Sequence, residues 1–217
     1  MNELYISSIR FLDEPVLYDQ YCALLSKQRK EKIDRLHGDD DKKRSAAAEL
    51  LILKALNDRG YRTSDLVYEY GPYGKPSLRD YPYFFFSVSH SKDYVILAVS
   101  DKPIGCDIEM IRKYDLKIAQ RFFSEEEYKK LHDCTEQEER KKLFFLYWTM
   151  KESYIKFTGE GLHCPLSSFT IEKDENDNMV IYREKLKLFL SEIDILDEYC
   201  ISICSPDKEF EIKIVEF

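Results

Sequence analysis

The residues best suited to chemistry in this chain are three acids carried on two separated segments. Asp107 and Glu109 lie two apart in Ile104-Gly105-Cys106-Asp107-Ile108-Glu109. Glu152 and Lys156 lie four apart in Trp148-Thr149-Met150-Lys151-Glu152-Ser153-Tyr154-Ile155-Lys156. The first segment reads as a strand, in which alternate side chains share a face. Asp107 and Glu109 then project together, while Ile104, Cys106 and Ile108 turn to a core. The second reads as a helix, on which positions four apart are neighbours. A helix packed across that strand gathers three carboxylates and one ammonium in one cleft. Carboxylate oxygens suit Mg²⁺, which takes few protein ligands and completes its shell with water and substrate phosphates. The pattern points to phosphate chemistry. Each pair also has a plain reading: the wet face of an edge strand for the first, and a surface ion pair worth about 0.2–0.5 kcal/mol for the second.

Other candidates are scattered along the chain. Ser87-Val88-Ser89-His90-Ser91 ends a strand with hydroxyls and an imidazole, a pattern that can hold phosphate oxygens or form an ordinary hairpin shoulder. Lys75 stands between Gly74 and Pro76, which fix the backbone while the ammonium reaches outward. Arg44, Arg29 and Lys32 can be anion ligands or solvated charges. Glu127 in Ser124-Glu125-Glu126-Glu127 fits the last position of a capping box, a helix-start device that needs no chemistry. Trp148, one turn before Glu152, reads as a core side chain.

These residues must be positioned by regular elements. The patterns predict an opening strand over 4–11, helices over 17–35 and 40–59, and a stop at Gly60. Residues 70–76, dense in turn formers, read as a loop. Strands over 84–90 and 94–100 form a hairpin, and 105–109 is a further strand. A capped helix opens at Ser124 and runs to Leu131. A long aromatic-rich helix covers 138–157 and ends at Gly159-Glu160-Gly161. Strands are expected over 168–173, 178–182, 199–204 and 210–216. The fold class is α+β, with each half helical early and sheet-rich late, 1–103 and 104–217.

Bulk properties narrow the function classes. The 217 residues, 44% apolar and 14% aromatic, can bury a core, which excludes global disorder. A formal charge of −8 disfavours a broad nucleic-acid surface, while an anionic small ligand can still be met by a local basic pocket or a metal. No apolar run approaches a bilayer span, so no membrane partner is expected. Met1-Asn2-Glu3-Leu4-Tyr5 lacks the features of a secretory signal, and a cytoplasmic protein is expected. The six cysteines form no CxxC pair and read as buried thiols.

In combination these motifs resemble a family. Gly105-Cys106-Asp107-Ile108-Glu109, Phe122-Phe123-Ser124 and Trp148 to Lys156 are similar to the 4′-phosphopantetheinyl transferases of the surfactin-activating type. Tyr73-Gly74-Lys75-Pro76 and Ser87 to Ser91 match two further family motifs in order, and Gly159-Glu160-Gly161-Leu162 with Pro165-Leu166 continues the match. The resemblance covers about residues 29–169. It implies two similar α+β halves packed side by side about a pseudo-two-fold, each with a small antiparallel sheet and a long helix, in a monomer. It also implies transfer of the phosphopantetheine arm of coenzyme A to a serine of an apo acyl or peptidyl carrier protein, releasing adenosine 3′,5′-bisphosphate.

Under the same resemblance, Asp107, Glu109 and Glu152 hold Mg²⁺ on the pyrophosphate and Lys156 reaches that pyrophosphate. Lys75, Ser89, His90 and Arg44 contact coenzyme A, several at its 3′-phosphate. Arg29 and Lys32 align with two family lysines near the nucleotide, Arg29 keeping the charge but not the residue. Cys106 stands where the family usually has Ile or Val. The proton of the attacking serine falls to Glu152, with Glu127 second. Carrier docking is expected around Leu162 and Leu166 and the helix starting at Ser124. Two other readings share the acids: another Mg²⁺-dependent phosphate enzyme such as a nucleotide hydrolase, and a non-catalytic carrier-binding module.

Overall fold

The structure, a computed structural model, describes residues 2–61 and 65–217. The first half contributes β1 (Asn2–Ser8), α1 (Pro15–Ala23), α2 (Lys27–Asp34), α3 (Asp39–Asp58), the small pair β2 (Tyr68–Tyr70) and β3 (Pro76–Leu78), and the hairpin β4 (Phe85–Ser91) and β5 (Tyr94–Ser100). The second contributes β6 (Gly105–Met110), α4 (Leu116–Phe122), α5 (Glu125–Asp133), α6 (Gln137–Thr158), β7 (Glu172–Lys173), β8 (Met179–Arg183), β9 (Leu186–Glu192) and β10 (Tyr199–Ser205). A last strand, β11 (Phe210–Ile214), closes the chain.

The sheets run β11-β1-β5-β4 and β6-β10-β9-β8-β7. Each half repeats one plan: a first strand, a long helix, then an antiparallel hairpin whose second strand pairs with the first. Glu3 stands opposite Val99 in one and Asp107 opposite Ser202 in the other. The two halves are thus similar, as expected. Alternation builds the layers. Tyr5, Val95, Leu97 and Val99 face α3, where Ala47, Leu50, Leu51 and Ala55 form a helical stripe. Leu4, Ile6, Ile96 and Ala98 face the other way, against Ile104, Cys106, Ile108, Ile201 and Ile203 of the second sheet. The opposite face of that sheet carries Cys200 and Cys204 against α6. The order is therefore helix, sheet, sheet, helix.

Several elements differ from expectation. The helix over 17–35 is broken into α1 and α2, because the buried Glu49 carboxylate of α3 accepts hydrogen bonds from the Ser26 backbone N–H and hydroxyl. Ser26 can then cap α2, accepting from Arg29 N–H. Residues 70–76 form the turn of the β2–β3 hairpin. The strand expected over 168–173 reduces to a 3-10 turn at Leu166–Ser168 and the two residues of β7. β9 was not expected. β11 does not stay with the second half but pairs in parallel with β1, Ile6 opposite Ile214. All six cysteines are free thiols, and Cys106, Cys200 and Cys204 are buried. Among the described residues, no helix is long and apolar enough to cross a membrane.

Candidate active site

The acids gather where α6 crosses β6. A glycine permits that crossing: a Cβ built on Gly105 would lie 1.9 Å from the carbonyl oxygen of Ser153 and 2.4 Å from the amide nitrogen of Phe157. The helix backbone therefore rests directly on the strand. Asp107, 4% exposed, then receives Lys156, whose ammonium donates to Asp107 Oδ1 at 2.6 Å and to Ser89 Oγ at 2.8 Å. Ser89 donates to the same Oδ1 at 2.7 Å. Asp107 Oδ2 is buried and has no hydrogen-bond partner among the described residues.

Electrostatics set the neighbours apart from ordinary carboxylates. Burial, then the charge of Asp107, pushes the Glu109 carboxyl above its usual value, against a hydrogen bond from Ser91 Oγ at 3.1 Å. Burial and Asp107 also push Glu152 up, with Lys156 opposing and Glu109 adding. Burial works against the charge of Lys156, but Asp107, with Cys106 and Glu152, holds its ammonium above the ordinary value. Three acids thus share one ammonium, and a buried carboxylate oxygen is left over. Among the described residues, no group of three or more His, Cys, Asp or Glu side chains is placed to hold a metal ion. The donors suit a hard cation that takes part of its shell from water or phosphate.

The strand carrying these acids lies at its sheet's edge, beside β4 of the other half. Serine hydroxyls join the two: Cys106 N–H donates to Ser87 Oγ at 3.0 Å and Met110 N–H to Ser91 Oγ at 3.1 Å. Ser87, Ser89 and Ser91 alternate along β4, so all three reach the seam.

Residues 103–204 match the family described as the 4′-phosphopantetheinyl transferase superfamily, and residues 14–102 match the family described as 4′-phosphopantetheinyl transferase, N-terminal. The chain is 30% identical over 216 residues to the 4′-phosphopantetheinyl transferase Sfp of Bacillus subtilis (strain 168), covering 95% of this chain and 96% of that protein. This chain belongs to the 4′-phosphopantetheinyl transferases. It is also 36% identical over 184 residues to gsp of Aneurinibacillus migulanus, covering 83% of this chain and 76% of the relative. With psf-1 of Bacillus pumilus the identity is 37% over 160 residues, covering 73% and 68%.

In this transferase the expected site residues fall into three sets. Asp107, Ser89 and Lys156 touch, and Glu109 and Glu152 are coupled to them. Arg44 and His90 lie together on the first-half side: desolvation, then Arg44 and Lys156, hold the His90 imidazole below its ordinary value. Arg44 itself donates to Lys92 O at 2.9 Å and Asp41 Oδ1 at 2.6 Å. The second set does not touch the acids. The Arg29 guanidinium bonds Glu49 at 3.0 Å and the Tyr68 hydroxyl at 3.2 Å, which commits it to the first half's interior, while Lys32 is exposed on the next turn. Lys75 does not reach outward. It crosses the seam and donates to Ile104 O and Phe157 O, both at 3.1 Å.

The third set is structural. Glu127 is fully buried, and both its oxygens are used: Ile171 N–H at 2.8 Å on one, Ser124 N–H at 2.9 Å and Lys151 Nζ at 2.8 Å on the other. The structure does not bring it to the acid cleft. Leu166 is buried at 4% exposure, so only Leu162, at 83%, remains of the expected docking pair. Trp148 is half-buried at the margin of the second core, packing with Phe122 and Phe144. A cavity of about 330 Å³ beside the acids was missed from sequence; it is walled by Tyr73, Lys75, Phe86, Val88, Glu152, Ile155, Lys156 and Leu162. The only signal for it was the apolar character of Tyr73 and Leu162 inside loops otherwise rich in turn formers.

Proposed function

We propose that this phosphopantetheinyl transferase carries out its transfer at the seam between the halves, from coenzyme A to a serine hydroxyl of an apo carrier protein, with Asp107, Glu109 and Glu152 as the Mg²⁺ ligands. The observation that carries this reading is the unpartnered, buried Oδ2 of Asp107 beside two acids whose ionisation the site resists. Bound there, Mg²⁺ would neutralise the acids and the pyrophosphate and stabilise charge on the transferring group. The Arg44 guanidinium, with the His90 imidazole as a neighbouring hydrogen-bond donor, supplies anion binding on the first-half side.

In the reaction the serine oxygen–phosphorus bond forms and the pyrophosphate bond breaks, releasing adenosine 3′,5′-bisphosphate. Negative charge spreads over the phosphoryl oxygens as it does so. The Lys156 ammonium, held charged by Asp107, is placed to stabilise that charge without reorganising. Ser89 fixes the Asp107–Lys156 pair by bonding both. The serine proton must be accepted, and Glu152, with its affinity for protons raised, is the acid suited to take it. Base and metal ligand compete at this residue, which a water held between the two would resolve. Glu127, with no free oxygen, stays out of the chemistry.

Incubation with coenzyme A, Mg²⁺ and an apo carrier tests the reading. A mass gain on the carrier serine that is lost in Glu152→Gln is expected. Phosphate release with an unmodified carrier would show a hydrolase instead.

A further inference from the structure

All three protons of the Lys151 ammonium are used. One goes to Glu127 Oε2 at 2.8 Å, and the others go to Leu166 O at 2.7 Å and Phe169 O at 2.8 Å. The ammonium also lies 4.3 Å from the centre of the Phe169 ring. Glu127 Oε1 accepts from Ile171 N–H at 2.8 Å. Three points along the chain between α6 and β7 are therefore bound to one ion pair that bridges α5 and α6. Both side chains are 0% exposed, so neither is open to a substrate.

Stability alone does not call for charges here. Apolar residues of similar volume often match or better a buried ion pair, because desolvation offsets the attraction. What this pair supplies, and an apolar filling cannot, is a set of directed bonds to the backbone of residues 166–171. Those bonds fix a stretch with little regular structure of its own, since between α6 and β7 the chain makes two short 3-10 turns, Gly161–His163 and Leu166–Ser168. The near end of the stretch is fixed as well: the Arg183 guanidinium donates to both oxygens of Glu160, at 2.8 Å and 3.2 Å. Between the two fixings Leu162 stands 83% exposed and walls the cavity beside Glu152 and Lys156. The next ring, His163, lies 4.5 Å from that of Tyr73 in the other half.

We propose that Glu127 and Lys151 are positioning residues for carrier recognition: through Leu166 O, Phe169 O and Ile171 N–H they fix the segment that presents Leu162 to the carrier beside the acid cleft. The proposal rests on the transferase reading above. It gives the buried pair a task that its contribution to folding does not cover, and it separates Glu127 from the proton transfer that the resemblance allows it.

The test uses the double variant Glu127→Leu with Lys151→Met, which keeps an apolar filling and deletes the directed bonds. Its carrier KM should rise about tenfold or more, the loss expected when one leucine is no longer presented for burial. The kcat and the calorimetric Kd of coenzyme A should stay within about threefold of the wild type. Leu162→Asp supplies a readout that a merely structural pair would not move. If the pair acts through Leu162, that substitution raises the carrier KM in the wild type but adds less than about threefold in the double variant. An unchanged carrier KM, a loss confined to kcat, a Kd of coenzyme A weakened by the same factor, or independent addition of the Leu162→Asp effect overturns the proposal. If the double variant does not fold, Lys151→Arg is put through the same assays under the same criteria, since it keeps the charge but replaces the three-way ammonium by a planar fork. A wild type that modifies no carrier overturns the transferase reading and this proposal with it. An active wild type whose variants keep its carrier KM overturns this proposal alone.

Discussion

Replacing Gly105 by alanine is the sharpest perturbation of the site that touches none of its functional groups. The added methyl would stand 1.9 Å from Ser153 O and 2.4 Å from Phe157 N, while real Cβ contacts essentially never fall under 3.0 Å. Both obstacles are backbone atoms of α6, so no side-chain rotation relieves them. The helix must retreat from β6 by roughly 1 Å, and overpacking of that kind costs about 1–3 kcal/mol. For a chain of this size that corresponds to a Tm lower by roughly 2–4 °C per kcal/mol. The same retreat separates Lys156 and Glu152 from Asp107, and a displacement near 1 Å can cost about 10²-fold in rate. Gly105→Ala should therefore lose far more activity than its stability loss accounts for, with coenzyme A still bound through the first half. Thermal unfolding and carrier modification by mass spectrometry measure both. A variant with unchanged Tm and unchanged kcat would refute the claim that strand and helix are in backbone contact.

Three further outcomes follow from the structure. Glu127→Gln or Lys151→Met alone should cost about 3–5 kcal/mol in urea unfolding, because each leaves a buried charge without its partner, whereas replacing both by apolar residues should recover most of the loss; single losses below about 1 kcal/mol would contradict this. Mg²⁺ should raise Tm, and more at pH 7.5 than at pH 5. Glu109 and Glu152 bind protons more tightly folded than unfolded, so their contribution to metal-free stability falls as pH rises from the unfolded value of 4.5 through the raised values, and a cation relieves that loss only where they are ionised; a Tm gain independent of pH speaks against the ligand set. Leu162→Asp should raise the carrier KM about tenfold or more, since burying one leucine is worth about 1.5–3 kcal/mol, and should leave the Kd of coenzyme A unchanged; an unchanged carrier KM removes Leu162 from the docking surface.

The parts of this fold legible in the sequence are those decided locally. α3 and α6 announce themselves by apolar periodicity and a glycine stop, and the β4–β5 hairpin by alternation around a polar turn. The strand period throws Asp107 and Glu109 to one side, and the helix period aligns Glu152 with Lys156, so the acid site needed only the crossing of two elements. What failed depended on distant partners. The break between α1 and α2 is decided by Glu49, twenty-three residues beyond Ser26. β9 is interrupted by Lys187 and has no glycine or proline marking its ends. Leu166 looks like part of an apolar loop surface until Lys151, fully buried, is seen to bond Leu166 O at 2.7 Å and draw the segment inward. Lys75 was misdirected for the same reason, since its acceptors are backbone carbonyls that no residue type advertises.

The duplicated plan leaves only one of two equivalent edges open for the proposed chemistry. β1 and β6 hold equivalent places in the two halves, each paired on one side to the last strand of its hairpin. The free side of β1 is closed by β11 in a regular parallel ladder, with every position from Asn2 to Ile6 matched to a residue of the last strand. The free side of β6 receives no strand within its sheet. Its N–H groups at Cys106 and Met110 are met by serine hydroxyls of β4 rather than by the carbonyls of a backbone ladder. Ser89, Asp107 and Lys156 meet at this same seam. A regular ladder at this edge would satisfy the backbone but leave no space for charged side chains or an anionic ligand. The C-terminal strand thus seals the equivalent edge in the first half, and the unsealed edge of β6 is left for the proposed site.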